Sequence, residues 1–369
     1  MQWIKFGDCN SKFLHMSTLI RRKKNGIGSL KGDDGSWITD VNLFKNMVVP
    51  FYQKLYTDEG NRGMPVNFVN YFSCLTDEQI ASLMKPVTPR DVKDALFSMG
   101  AYKAPGDDGF QPLFYQKFWD VVGPSLCCMV LKAFRDKSLP QGINHTLIKL
   151  IPKVPHPESL TQLRPISLCN VSYKTITKVI VDRLKTLLPT IIAPTQCSFV
   201  PGRQIIDNIV IMQEVIHSMR RKKGKRGMLA VKVYLEKAYD RLRWDFLRDT
   251  LHAVQLPEDF VALIMSCITS SSMQVMWNGG KTERFFHLGE LGKVILSPYI
   301  FVFCMERLAH RIEVSVQSKK WRPINLSREG LQLSHLFFAD DLVLFAEASM
   351  EQVGVGIVWK SFVWRRAKR

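Results

Sequence analysis

Two hydrophobic patterns alternate along this chain. Apolar residues recur at helical spacing in some stretches and crowd into short unbroken runs in others. Helical spacing predicts helices at about Thr88 to Ser98, at Phe114 to Phe134 and at Tyr173 to Leu188, where Ile176, Ile180, Leu184 and Leu187 form a stripe ending before Pro189. It also predicts one at Gln204 to Arg221, with Ile205, Ile209, Met212, Ile216 and Met219 on one apolar face. Further helices are predicted at Trp244 to Val254, about Phe260 to Cys267, and Ser297 to Ile312, the last apolar enough to be buried. Short runs predict strands at Leu147 to Ile151, Met228 to Leu235 and Met273 to Trp277. In the second of these, alternation puts Val231, Val233 and Leu235 on one face and Lys232 and Tyr234 on the other. Residues 1–60 have weak periodicity and read as a helical, partly exposed extension. Helices mixed with short strands argue an α+β fold.

One run carries more chemistry than the rest. In Leu336-Phe337-Phe338-Ala339-Asp340-Asp341-Leu342-Val343-Leu344-Phe345, two apolar strands meet at adjacent aspartates. Neighbouring carboxylates at the tip of a buried hairpin repel each other and resist desolvation. A divalent cation relieves both costs. An Asp-Asp turn exposed to water is the other reading, since Asp favours turns through local hydrogen bonds.

The chain has 369 residues, enough for two or three lobes with a core. Its 46% hydrophobic and 23% charged residues are ordinary for a globular protein. Its charge is not: 51 Lys and Arg against 33 Asp and Glu leave a formal +18, which favours a polyanionic partner. No apolar run reaches the length of a membrane span and no signal-peptide core opens the chain, so nucleic acid is expected over a membrane surface. Eight cysteines without a C-x-x-C pair fit buried thiols in a reducing compartment. The cluster Arg220-Arg221-Lys222-Lys223-Gly224-Lys225-Arg226 has three open readings: helix capping, a solvated hinge or a phosphate contact.

An ordered series of motifs narrows the field. It runs through Gly7-Asp8 with Phe13-Leu14-His15, Lys103-Ala104-Pro105-Gly106 with Asp108-Gly109-Phe110, and Leu150-Ile151-Pro152-Lys153. Arg164-Pro165-Ile166-Ser167-Leu168, Tyr173-Lys174 and Phe199-Val200-Pro201-Gly202-Arg203 follow. Leu235 to Arg241, Leu296-Ser297-Pro298-Tyr299 and Phe338-Ala339-Asp340-Asp341 complete it. In content and order this resembles the reverse transcriptase of LINE-type (non-LTR) retrotransposons, especially the plant forms. The resemblance implies a right-hand polymerase: a basic N-terminal extension over 1–85, fingers over 86–227, a palm with an antiparallel sheet over 228–353, and a divergent tail over 354–369 in place of a thumb. It implies RNA-directed DNA synthesis on an RNA template and DNA primer from dNTPs, with two Mg²⁺ ions held roughly 3.5–4 Å apart. Asp340 and Asp341 would be catalytic and metal-binding. Lys153 and Arg164 would clamp the triphosphate, Arg through bidentate contacts and Lys as a point charge. Gly202, Arg203, Arg220, Arg221, Lys222 and Lys223 would line the nucleic-acid path through phosphate contacts.

The departures from that family pattern matter as much. Tyr234 stands where the family places the aspartate that bridges both ions, and a phenol, with a pKa near about 10, is a poor Mg²⁺ ligand at neutral pH. Glu236 and Asp240 are expected to lie outside the metal shell. The family's Arg-Gln-Gly-Asp-Pro stretch before Leu296 reads Gly292-Lys293-Val294-Ile295, and similarity fades after Val353. The expectation is a truncated, degenerate copy with impaired activity. The alternative is a non-catalytic nucleic-acid-binding remnant of such an element. The family's life cycle suggests a nuclear site; the residues themselves leave nuclear and cytoplasmic locations open.

Overall fold

The computed structural model describes residues 12–32, 34–56, 71–222, 227–235, 239, 242–277, 280–286, 296–326 and 332–353. In chain order, α1 (Lys12–Asn25) leads to the small hairpin β1 (Leu30–Lys31) and β2 (Trp37–Ile38), then α2 (Val41–Tyr56). Four helices follow: α3 (Asp77–Met84), α4 (Pro89–Phe97), α5 (Pro112–Lys117) and α6 (Trp119–Asp136). Next come β3 (Thr146–Pro152), β4 (Leu163–Cys169), α7 (Val171–Leu184), the short α8 (Leu188–Ile191) and α9 (Ile205–Arg221). After β5 (Met228–Tyr234) lie α10 (Trp244–Ala253), α11 (Glu258–Thr269), β6 (Ser272–Trp277), β7 (Gly280–Lys281) and β8 (Phe285–Phe286). The chain continues through α12 (Ser297–Gln317), β9 (Ile324–Asn325), β10 (Gln332–Leu333), β11 (His335–Phe338), β12 (Asp341–Glu347) and α13 (Met350–Val353).

Local chemistry explains most boundaries. Thr76 and Thr88 each close a capping box ahead of α3 and α4, and Pro89 sits in the first turn, where its missing N–H costs nothing. The helix expected over Phe114 to Phe134 is two helices, because the backbone breaks at Phe118. The stripe expected to run to Leu188 ends at Leu184, and Pro189 opens α8 instead of following a helix end.

Two sheets organise the molecule. In the first, β3 pairs antiparallel with β4 and parallel with β6, and β6 also pairs with β7 and β8. In the second, β12 lies between β11 and β5, antiparallel to both. The largest core cluster joins α3, α4, α6 and α7 to α10, α11, the buried α12 and one face of the second sheet. The other face of that sheet, with Leu336, Val343 and Phe345, packs on Val215 of α9.

Two packing relations add to the expectations and one expectation changes. First, the helical, partly exposed N-terminal stretch also contributes to a core: Phe44, Val48 and Tyr52 of α2 are buried against β3, β4 and β6, with Phe44 stacked on Trp277. Second, the packing crosses the boundary expected at 227, since β6 joins the sheet of β3 and β4. Third, the apolar face assigned to α9 is largely outside. Ile205 is 55% exposed and Ile209 and Ile216 are exposed with it, while Val215 and the polar Asn208 are buried. Among the described residues no helix is long and apolar enough to cross a membrane.

Candidate metal site and its surroundings

The two aspartates sit at the tight connection of β11 and β12, with Ala339 and Asp340 forming the turn and Asp341 opening β12. Strand alternation gives Asp341, Val343 and Phe345 one face of β12. The register sets Asp341 directly across from Tyr234 and Val343 across from Lys232. Cross-strand partners share a face, so Asp341, Tyr234 and Lys232 form one group. The Lys232 ammonium lies 3.7 Å from Asp341 Oδ2 and 5.0 Å from the Tyr234 ring centre. Asp341 Oδ1 is buried and has no hydrogen-bond partner among the described residues. The Tyr234 side chain points outward, and the residue is 74% exposed. On the far side of the turn, burial and the Asp340 charge push the Tyr239 phenol up to about 12, and its ring packs 4.5 Å from that of Phe301. A cleft of about 760 Å³ opens beside Asp341 and Lys232, walled by Phe199, Val200, Ile205 and Phe338.

The hairpin is held from outside by the segment leading into α9. Phe337 N–H donates to Thr195 O at 2.9 Å, and Gln196 pairs with Phe337 as a parallel bridge, so this segment covers the free edge of β11. Gln196 is buried, and its Oε1 accepts from Ser198 N–H at 3.0 Å and from Ala339 N–H at 3.3 Å. Asn208 Nδ2 donates to Thr195 O and Phe337 O. Glu306 of α12 accepts from Ala193 N–H at 3.0 Å, and burial pushes its carboxyl up to about 8. His335 bonds Thr195 Oγ1 and Ser334 Oγ, and burial lowers it to about 4, so it is neutral there.

The structure sorts the other residues expected from sequence. Lys153 and Arg164 come to the same end of the β3–β4 hairpin, where Lys153 N–H bonds Gln162 O and Arg164 pairs with Ile151. Both are exposed, and Lys153 Nζ donates to Thr161 O. Gly202 is exposed at φ +80, a conformation that suits glycine. Arg203 was expected on the template path, but its guanidinium donates to four carbonyls, those of Pro189, Ile192, Ala193 and Gln196. It ties the segment into a closed turn, and a phosphate would have to compete with those bonds. Arg220, Arg221 and Lys222 are exposed at the end of α9, while Lys223 lies outside the described residues, as do Glu236, Asp240 and residues 292–295. Tyr173 and Lys174 serve the fold: Tyr173 Oη donates to Cys267 O, and Lys174 Nζ holds Ala104 O.

Sequence reasoning did not single out Gln196, Asn208 or Glu306. A buried amide or acid on an otherwise apolar segment was their only signal, and burial was not visible. Among the described residues no cluster of three His, Cys, Asp or Glu side chains is placed to hold a metal. Asp340 and Asp341 offer hard oxygen donors and one unpartnered buried oxygen, which fits a single divalent cation. The position across from Asp341 holds a phenol, not a carboxylate.

Comparison with known proteins gives the family of the sequence. The profile of "Reverse transcriptase (RNA-dependent DNA polymerase)" matches residues 151–363. The chain is 27% identical over 357 residues to "Transposon TX1 uncharacterized 149 kDa protein" of Xenopus laevis, covering 94% of this chain and 26% of that protein. It is 24% identical over 322 residues to "Retrovirus-related Pol polyprotein from type-2 retrotransposable element R2DM" of Drosophila melanogaster, covering 87% and 28%. A third relative, "Retrovirus-related Pol polyprotein from type-1 retrotransposable element R2" of Nasonia vitripennis, is 22% identical over 289 residues, covering 76% and 26%. The chain spans about a quarter of the length of these relatives.

Proposed function

The chain belongs to the reverse transcriptase family, and on that premise we propose that it is the polymerase domain of a non-LTR retrotransposon whose catalytic step is impaired at position 234. One observation carries the reading: the β5–β12 register sets Tyr234 across from Asp341, whose buried Oδ1 lacks a partner. A carboxylate at 234 would stand beside Asp341 on one sheet face and give the aspartate turn a third acid. In this reading the second sheet, within 228–353, is the palm. The sheet of β3, β4 and β6 belongs to the fingers of 86–227, with β6 contributed from the palm's stretch of chain, and the family match, which runs to residue 363, takes in much of the tail expected to diverge from 354.

Divalent cations, when bound, supply charge stabilisation to the attacking hydroxyl and the leaving phosphate. The chain's own residues set the rest. Asp340 and Asp341 are the residues that would hold the cation at the turn. The cleft beside them receives the primer end and the incoming nucleotide, and Lys153 and Arg164 supply positive charge toward the triphosphate. Gly202 gives close backbone approach to the strand, and Arg220, Arg221, Lys222 and Lys223 bind phosphates of an RNA template and DNA primer without regard to sequence. Lys232 offsets the charge of Asp341 where a cation would otherwise sit. Tyr234 brings an aromatic ring to the position where a carboxylate would stand.

The second reading, a nucleic-acid-binding remnant without catalysis, is favoured by Tyr234 and by the +18 charge. Paired primer extension on an RNA template with Mg²⁺ separates the two. Tyr234→Asp is expected to extend roughly a thousandfold faster than the parent. Equal and robust extension by both would remove the claim of impairment. No extension by either would favour the remnant.

A further inference from the structure

The turn that presents the aspartates has an unusual backbone. Ala339 has φ +57, the left-handed region, which a residue with a Cβ seldom enters without being held there. Its N–H donates to Gln196 Oε1, and the same oxygen takes Ser198 N–H. Gln196 is 1% exposed, so these bonds are shielded from water. Its own position is fixed twice over, by Arg203 Nη1 on its carbonyl at 2.8 Å and by its bridge to Phe337. Arg203 extends the hold to Pro189, Ile192 and Ala193, and Ala193 N–H is taken by Glu306.

We infer that Gln196 is the positioning residue of the aspartate turn: its side-chain carbonyl keeps Ala339 left-handed and so sets the direction in which Asp340 and Asp341 present their carboxylates. Arg203 acts one step further back, as the clamp that keeps Gln196 in reach. Gln196 touches neither substrate nor cation in this assignment. It acts through one backbone N–H. The inference rests on the reading of Asp340 and Asp341 as a cation site only for its functional consequence; the hold on the turn stands independently.

The test uses alanine-¹⁵N-labelled full chain and amide hydrogen exchange. In the unaltered protein Ala339 N–H is expected to be protected, and an unprotected amide overturns the inference with no variant needed. Gln196→Met is expected to speed Ala339 exchange about tenfold or more while Ala346, in the β5–β12 ladder, is unaffected. Gln196→Glu, which keeps an acceptor, is expected to retain protection. Unchanged Ala339 exchange in Gln196→Met, or equal acceleration at Ala346, would overturn it. Mn²⁺ titration followed by electron paramagnetic resonance supplies the second readout. Gln196→Met is expected to weaken Asp340-dependent Mn²⁺ binding about tenfold, and adding Ala339→Gly should restore most of it, because glycine enters the left-handed region freely. Failure of that rescue, with binding still weak, would show that Gln196 acts by another route. If the unaltered protein shows no Asp340-dependent Mn²⁺ binding, the cation-site reading fails and the exchange result alone decides the positioning role.

Discussion

Of the three pairs of adjacent aspartates in this chain, Asp107-Asp108 and Asp340-Asp341 have surroundings that differ in kind. Asp107 is served from within the protein. Lys281 bonds it directly, Arg284 Nη2 is 3.7 Å away and His145 Nε2 is 3.9 Å away. The Lys281 bond and those nearby charges hold its carboxyl below the usual range. Asp108 caps its own loop through Phe110 N–H at 3.1 Å and takes part in the contact with Asn170. Burial raises its carboxyl. Gly106 lets this loop sit against Asn170, where a Cβ would collide. Among the described residues Asp341 has Lys232 at 3.7 Å and a buried oxygen with no hydrogen-bond partner. A carboxylate with its counter-charges built in is a structural part. The proposed cation site rests on the contrast between the two.

The largest effect that separates the pairs is catalytic. In a Tyr234→Asp background, Asp340→Asn is expected to cut primer extension about a thousandfold or more, and Asp107→Asn less than about tenfold. Comparable losses from both would erase the distinction.

Stability effects come next. Glu306, raised to about 8, carries a proton in the folded state that the unfolded chain loses above about pH 4.3, so stability falls as pH rises from there to about 8. Glu306→Gln is expected to flatten that decline and add roughly 1–3 kcal/mol at pH 8, measured by urea unfolding. On the acid side His310 and His335, both lowered to about 4, are neutral when folded. Their contribution is therefore lost as pH drops from about 6.5 toward 4. Asp107→Asn is expected to cost about 1–2 kcal/mol, because it removes a charge-assisted bond to Lys281. Since its carboxyl is depressed, that contribution is present above about pH 3.9 and fades below it. Lys232→Met should change stability by less than about 1 kcal/mol, because the Lys232 side chain is half exposed and its pairing loose. A larger loss would mean that Asp341 is already neutralised internally.

How far the sequence reached follows the same divide. The face sharing of Lys232 and Tyr234 was readable because strand alternation is strict, and the register with Asp341 confirms that face. The α12 helix was readable because Tyr299 to Met305 is an unbroken apolar run followed by Leu308, Ala309 and Ile312. The exposed side of α9 was not. Periodicity marks an apolar stripe but not which neighbour covers it, and here Asn208 turns inward to bond Thr195 O and Phe337 O. Arg203 read as a phosphate ligand because guanidinium chemistry suits both phosphates and carbonyls, and only the fold brings four carbonyls around it. Asp107 and Asp340 look alike in sequence, since the groups around Asp107, the cations of Lys281 and Arg284 and the imidazole of His145, are distant in the chain.

Cation binding itself is the most direct measurement. Mn²⁺ titrated into the unaltered chain, into the double variant Asp340→Asn/Asp341→Asn and into Asp107→Asn/Asp108→Asn, followed by electron paramagnetic resonance, compares the two pairs on equal terms. Binding is expected to vanish in the first double variant and to persist in the second. Persistence in the first, or loss confined to the second, would contradict the assignment of the hairpin as the cation site.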